Sequence, residues 1–163
     1  MIQDEWDAPV CAAWVSRLAS ALERADRPVV LAAHSAGCAL VAHWAASAGT
    51  HAHRVVQGAL LVAPSDPAGP NYPRGPVGFA PVPLARLPFP AIVVASTNDP
   101  YVSLDRAREY ADAWGAALVV LEGAGHINVA SGHGPWPEGY ELLTRLRHEP
   151  QEFSDVIRLR HDA

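Results

Sequence analysis

Apolar residues recur at helical intervals over residues 14–22, where Trp14, Val15, Leu18, Ala21 and Leu22 share a face before Asp26-Arg27-Pro28 ends the pattern. The spacing predicts an amphipathic helix. Residues 29–33 are apolar without alternation, the pattern of a parallel strand covered on both faces. Residues 36–48 are rich in alanine, carry Leu40, Val41 and Trp44 at near-helical spacing and end at Gly49, which predicts a second helix. Apolar runs over 55–63, 91–95 and 117–121 predict three more buried strands. Ser103 can cap a helix that reaches Trp114 and stops at Gly115, and residues 138–147 predict a last helix.

Between the second and third strands, residues 64–90 hold nine of the fifteen prolines. Proline fixes φ and lacks an N–H, so this stretch is expected to be a surface excursion with no regular helix or central strand. Long loops of this kind often serve as lids or binding loops. The polar tail from Pro150 is expected to be loosely attached. Strands alternating with helices predict an α/β fold with a mainly parallel sheet and functional groups gathered at the strand ends.

The length, 163 residues, fits a single domain spanning 1–163. With 50% hydrophobic and 18% charged residues the chain is not a disordered one, and no apolar run approaches the roughly 20 residues of a membrane span. A net charge of −5, with twelve arginines and no lysine, offers no basic stretch to neutralise a row of phosphates, so no nucleic-acid partner is expected. Cys11 and Cys38 form neither a metal-ligand spacing nor a disulfide framework, and no leader pattern precedes them. A cytoplasmic location without metal or cofactor is the resulting expectation.

Candidate chemistry begins at Ala33-His34-Ser35-Ala36-Gly37, at the junction of the first predicted strand and the alanine-rich helix. The string matches a nucleophile elbow with alanine in place of the first glycine. Small residues two before and two after the serine let strand and helix approach, and the amide of Ala36 could donate to an oxyanion. A serine capping a helix after a strand would give a similar string. Order favours the elbow: Asp99 follows a later strand end and His126 the next, the α/β-hydrolase order of serine, acid and histidine. In that arrangement His126 takes the serine proton and Asp99 fixes its tautomer. Asn98-Asp99-Pro100 is also a good turn, and the competing Asp105 suits the first turn of the helix capped by Ser103. His133 is the rival to His126 in the same glycine-rich loop, whereas His34 is expected to point away from Ser35. His43, His51, His53, His148 and His161 read as surface or packing residues. Trp136, Tyr101 and Phe79 could line an apolar pocket or belong to the core.

Four strings occur in consistent order over roughly residues 4–148: Ala33-His34-Ser35-Ala36-Gly37, Ser96-Thr97-Asn98-Asp99-Pro100-Tyr101-Val102-Ser103, Gly125-His126-Ile127-Asn128 and Ser131-Gly132-His133-Gly134-Pro135-Trp136-Pro137-Glu138-Gly139. Together the chain resembles the small serine hydrolases related to retinoblastoma-binding protein 9. The resemblance implies a compact α/β-hydrolase without a large cap domain, a triad of Ser35, Asp99 and His126, and hydrolysis of a small ester or amide through an acyl-enzyme. It also implies a further strand and a glycine loop ahead of the first predicted strand, and Met1-Ile2-Gln3-Asp4 offers no counterpart. A sheet lacking that strand is expected to expose an edge or a groove that invites another chain, and to leave Ala36 as the only oxyanion donor. The Leu-x-Cys-x-Glu retinoblastoma-pocket motif is absent at Cys11 and Cys38, so that interaction is not expected. The competing functional reading is a ligand- or protein-binding module that keeps the pocket without turnover.

Overall fold

The computed structural model describes residue 3, residues 5–148 and the backbone of residues 157–159. The elements run α1 (Cys11–Glu23), β1 (Val29–His34), α2 (Ala36–Ala48), a short α3 (Ala52–Val55), β2 (Val56–Val62), β3 (Ala91–Ser96), α4 (Leu104–Trp114), β4 (Ala117–Leu121), α5 (Pro137–His148) and β5 (Ile157–Leu159). The strands form one five-stranded sheet in the order β1-β2-β3-β4-β5, and every pairing is parallel.

Each central strand feeds both faces of the sheet, which is why its sequence runs apolar without alternation. Ala59, Leu61, Val93, Ala95, Leu118 and Val120 face one way, onto α1, α2 and α4 through Trp14, Leu18, Cys38, Tyr110 and Trp114. The intervening Leu60, Val62, Ile92, Val94, Val119 and Leu121 face the other way, onto Leu142 and Leu146 of α5. Ser103 caps α4 by accepting from the amide of Arg106 at 3.1 Å, and Gly115 ends it in the left-handed conformation.

Several predicted boundaries change. The first helix starts at Cys11 rather than at 14, because Cys11 is buried in the core with Trp14 and Leu18. Residues 64–90 carry no helix or strand, as the prolines require, yet Phe79, Val82, Leu87 and Phe89 bury their side chains. His43 holds this stretch to α2 through Nε2 and the Phe79 carbonyl at 3.0 Å. Phe79 therefore belongs to the core, and Trp136 packs on the α5 face. The expected loose tail falls largely outside the described residues, but Ile157–Leu159 pairs with Val119, Val120 and Leu121 as a strand the sequence reading did not include.

Among the described residues no strand precedes β1, which pairs with β2 alone and is only partly buried. An apolar groove of about 920 Å³ follows its outer edge between Trp14, Leu18, Leu22 and Leu40 and reaches Ser35. Among the described residues no helix is long and apolar enough to cross a membrane.

Candidate active site

The parallel sheet sends β1, β3 and β4 to the same end, and each hands over a polar side chain there. Ser35 stands between β1 and α2 with φ 57° and ψ −125°, a strained positive-φ conformation that lifts its hydroxyl out of the strand-to-helix turn. Its amide is tied to the Val62 carbonyl at 3.0 Å. A Cβ added to Gly37 would lie 3.5 Å from the Ala33 Cβ, so the small residues of the elbow are in van der Waals reach of each other. Ala36 opens α2, where the first amides have no intrahelical acceptor.

Asp99 lies beyond β3 with its carboxylate fully buried. Its Oδ1 accepts from the Tyr101 amide at 2.9 Å. His126 lies beyond β4, with Nδ1 2.8 Å from Asp99 Oδ2 and 3.0 Å from Oδ1, and Nε2 2.9 Å from Ser35 Oγ. A carboxylate only accepts hydrogen bonds, so Nδ1 carries the proton of the neutral ring and Nε2 is left to accept from the Ser35 hydroxyl. The arrangement can remove a proton from Ser35 and hold the resulting imidazolium against a buried negative charge.

The loops that carry these groups are joined by contacts the sequence reading did not single out. Asn98 Oδ1 accepts from the Gly125 amide at 2.7 Å and from Ser96 Oγ at 2.8 Å, linking the loop of Asp99 to that of His126. Asn128 and Ser131 cap each other just after His126. Ser65, beyond β2, places Oγ 3.4 Å from Ser35 Oγ. His34 does not simply turn away: its Nε2 donates to the His126 carbonyl at 2.8 Å, and the rings meet edge to face at 4.7 Å. Desolvation by this packing lowers its pKa, even though part of the side chain stays exposed. The signal available for His34 was its place beside the serine, which says nothing about a carbonyl ninety-two residues away.

The rivals fall elsewhere. Asp105 is almost wholly exposed and pairs with Arg108 at 2.8 Å. His133 packs on the Trp136 ring at 6.3 Å, and its amide bonds the Asn128 carbonyl. A cavity of about 210 Å³ opens over Ser35 and His126, lined also by Ser65, Tyr72, Tyr101 and Asn128. Tyr101 is therefore a pocket residue, its ring 4.6 Å from that of His126. Burial raises the pKa of both Cys11 and Cys38, which keeps these thiols protonated. Among the described residues no group of three His, Cys, Asp or Glu side chains could hold a metal ion.

A family model described as serine hydrolase matches residues 1–145. The chain belongs to the serine hydrolase family. Of solved structures, this serine hydrolase is similar to a YdeN-like hydrolase from Pectobacterium atrosepticum, with 30% identity and a TM-score of 0.74 over 90% of this chain and 75% of that one. It shares its fold with the ydeN gene product of B. subtilis, at 20% identity and a TM-score of 0.63 over 86% of this chain and 77% of that one. The same holds for the esterase RhEst1 from Rhodococcus sp., at 15% identity and 0.61 over 85% and 72%. A search of curated proteins returns no match to this serine hydrolase.

Proposed function

We propose that this serine hydrolase cleaves small carboxylic esters or amides through an acyl-enzyme on Ser35. The observation that carries the reading is the unbroken run of hydrogen bonds from Asp99 through His126 to Ser35, at 2.8 and 2.9 Å. In the first half-reaction Ser35 Oγ attacks the substrate carbonyl while its proton passes to His126 Nε2. The Ala36 amide, at the positive end of α2, donates to the oxyanion. His126 then protonates the leaving group, and Asp99 holds the ring in the right tautomer throughout. In the second half-reaction water replaces the alcohol or amine, and His126 again serves as base.

The cavity over Ser35, about 210 Å³, suits a small acyl or leaving group. The finer kinship, with the hydrolases related to retinoblastoma-binding protein 9, is supported by the Gly125-to-Asn128 and Ser131-to-Gly139 strings. Two free buried thiols fit a reducing cytoplasm. Turnover of p-nitrophenyl esters of graded acyl length tests the reading. The wild-type protein should hydrolyse the shortest esters fastest, and Ser35→Ala and His126→Ala should each remove the activity. A folded wild-type protein that turns over none of them, nor a matching amide series, would instead favour the binding module.

A further inference from the structure

Resting on that hydrolase reading, we infer that Ser65 is a second hydroxyl of the reaction centre, donating to Ser35 Oγ a hydrogen bond that strengthens as this oxygen gains negative charge. The two hydroxyl oxygens are 3.4 Å apart, Ser65 is only 3% exposed, and it borders the same cavity as Ser35 and His126. The direction of the bond follows from counting protons. His126 Nδ1–H is committed to Asp99, so Nε2 accepts the single proton of Ser35, and between the two serines only Ser65 has a proton left to give.

Ser65 is held in place from both sides. Ala63 adopts φ 47°, a left-handed conformation unfavourable for alanine, and its amide donates to the Val94 carbonyl at 2.8 Å. The Asp66 amide donates to the Tyr101 carbonyl at 3.0 Å, and the Asp66 carboxylate accepts from the Tyr110 hydroxyl at 3.2 Å. Arg106 pairs with the same carboxylate at 3.5 Å. Positive φ at a residue other than glycine also occurs at Ser35 and Ile127, in the two loops that carry the nucleophile and the histidine. The turn after β2 shares this feature and delivers Ser65 to the same point.

At 3.4 Å the bond is longer than the roughly 2.5–3.0 Å of a strong hydroxyl pair, so it contributes little in the resting protein. As the Ser35 proton moves to His126 Nε2, the oxygen becomes a better acceptor and the bond shortens. An interaction made mainly in the transition state raises kcat without tightening substrate binding. Ser65 keeps its own proton throughout.

Steady-state kinetics with p-nitrophenyl acetate and the rate of fluorophosphonate labelling, on wild type, Ser65→Ala, Ser65→Gly and Ser65→Thr with matched melting curves, test the assignment. Removing the hydroxyl in the alanine and glycine variants should lower kcat about 10- to 100-fold and slow labelling to a similar degree, with KM within about twofold. The threonine variant, which restores a hydroxyl, should recover most of the loss. A folded alanine or glycine variant with kcat within about twofold of wild type overturns the inference. So does a loss confined to KM, or a well-folded threonine variant as slow as alanine. A wild-type protein that neither turns over the ester nor labels would sink the hydrolase reading and this inference together.

Discussion

His34 donates from Nε2 to the carbonyl oxygen of His126 across 2.8 Å, so the residue just before the proposed nucleophile, Ser35, braces the backbone of the residue proposed to take its proton. Loss of this brace should let the His126 loop drift from Ser35. Steady-state assays should show His34→Ala with kcat reduced about 5- to 10-fold, the equivalent of one ordinary hydrogen bond. His34→Gln, whose amide can donate to the same carbonyl, should retain most of the rate. Equal rates in both variants and wild type would remove the brace from the account.

The burial of His34 also makes stability depend on pH. Desolvation by burial, helped by the charge of the neighbouring His126 ring, lowers the His34 pKa from its ordinary value of 6.5 and outweighs the opposing bond to the His126 carbonyl and the nearby Asp99 carboxylate. The unfolded chain therefore takes up a proton at His34 at higher pH than the folded chain does. This contribution to stability is complete above about pH 6.5 and is lost progressively as pH falls from there toward the lower folded value. Urea unfolding from about pH 8 to about pH 5 should show a steeper loss for wild type than for His34→Gln. Parallel curves would show that His34 is not the group responsible.

Asp99 presents both carboxylate oxygens to His126 Nδ1, at 2.8 and 3.0 Å. In Asp99→Asn the amide NH₂ can take the place of an acceptor and drive the imidazole proton to Nε2, where it blocks transfer from Ser35. Measured kcat should fall about 10³- to 10⁴-fold with little change in melting temperature. A variant that keeps most of its rate would assign the carboxylate a structural part only.

Gly125 precedes His126 with φ +58°, and a Cβ there would come 2.6 Å from the Ser131 Cβ. Neither the conformation nor the space admits a side chain, because Ser131 is locked into the cap with Asn128. Gly125→Ala should cost about 2 kcal/mol, a drop in Tm of roughly 4–8 °C for a chain of this size, and should lower kcat as His126 shifts. Calorimetry showing an unchanged Tm would contradict this reading of the loop.

Much of this was legible because the central strands are covered on both faces and so read as unbroken apolar runs, as in Ala91-Ile92-Val93-Val94-Ala95. Parallel strands that all end on one side also make the order Ser35, Asp99, His126 informative before any distance is known. What escaped the sequence was tertiary in origin. Ile157–Leu159 holds only three residues with Arg158 at the centre, too short to show a period, and it acquires its strand character from pairing with β4. Phe79, Val82, Leu87 and Phe89 anchor a stretch whose prolines suppress every regular signal. Asn98, Ser65 and His34 act through partners 27, 30 and 92 residues away, and no local pattern marks such contacts.

Whether Ser35 is an activated nucleophile is read from mass spectrometry of the intact protein after exposure to a fluorophosphonate. One phosphonyl group per chain is expected, located on the peptide containing Ser35, and none on Ser35→Ala. A folded wild-type protein that stays unmodified, or that carries the group on a different residue, would contradict an activated Ser35.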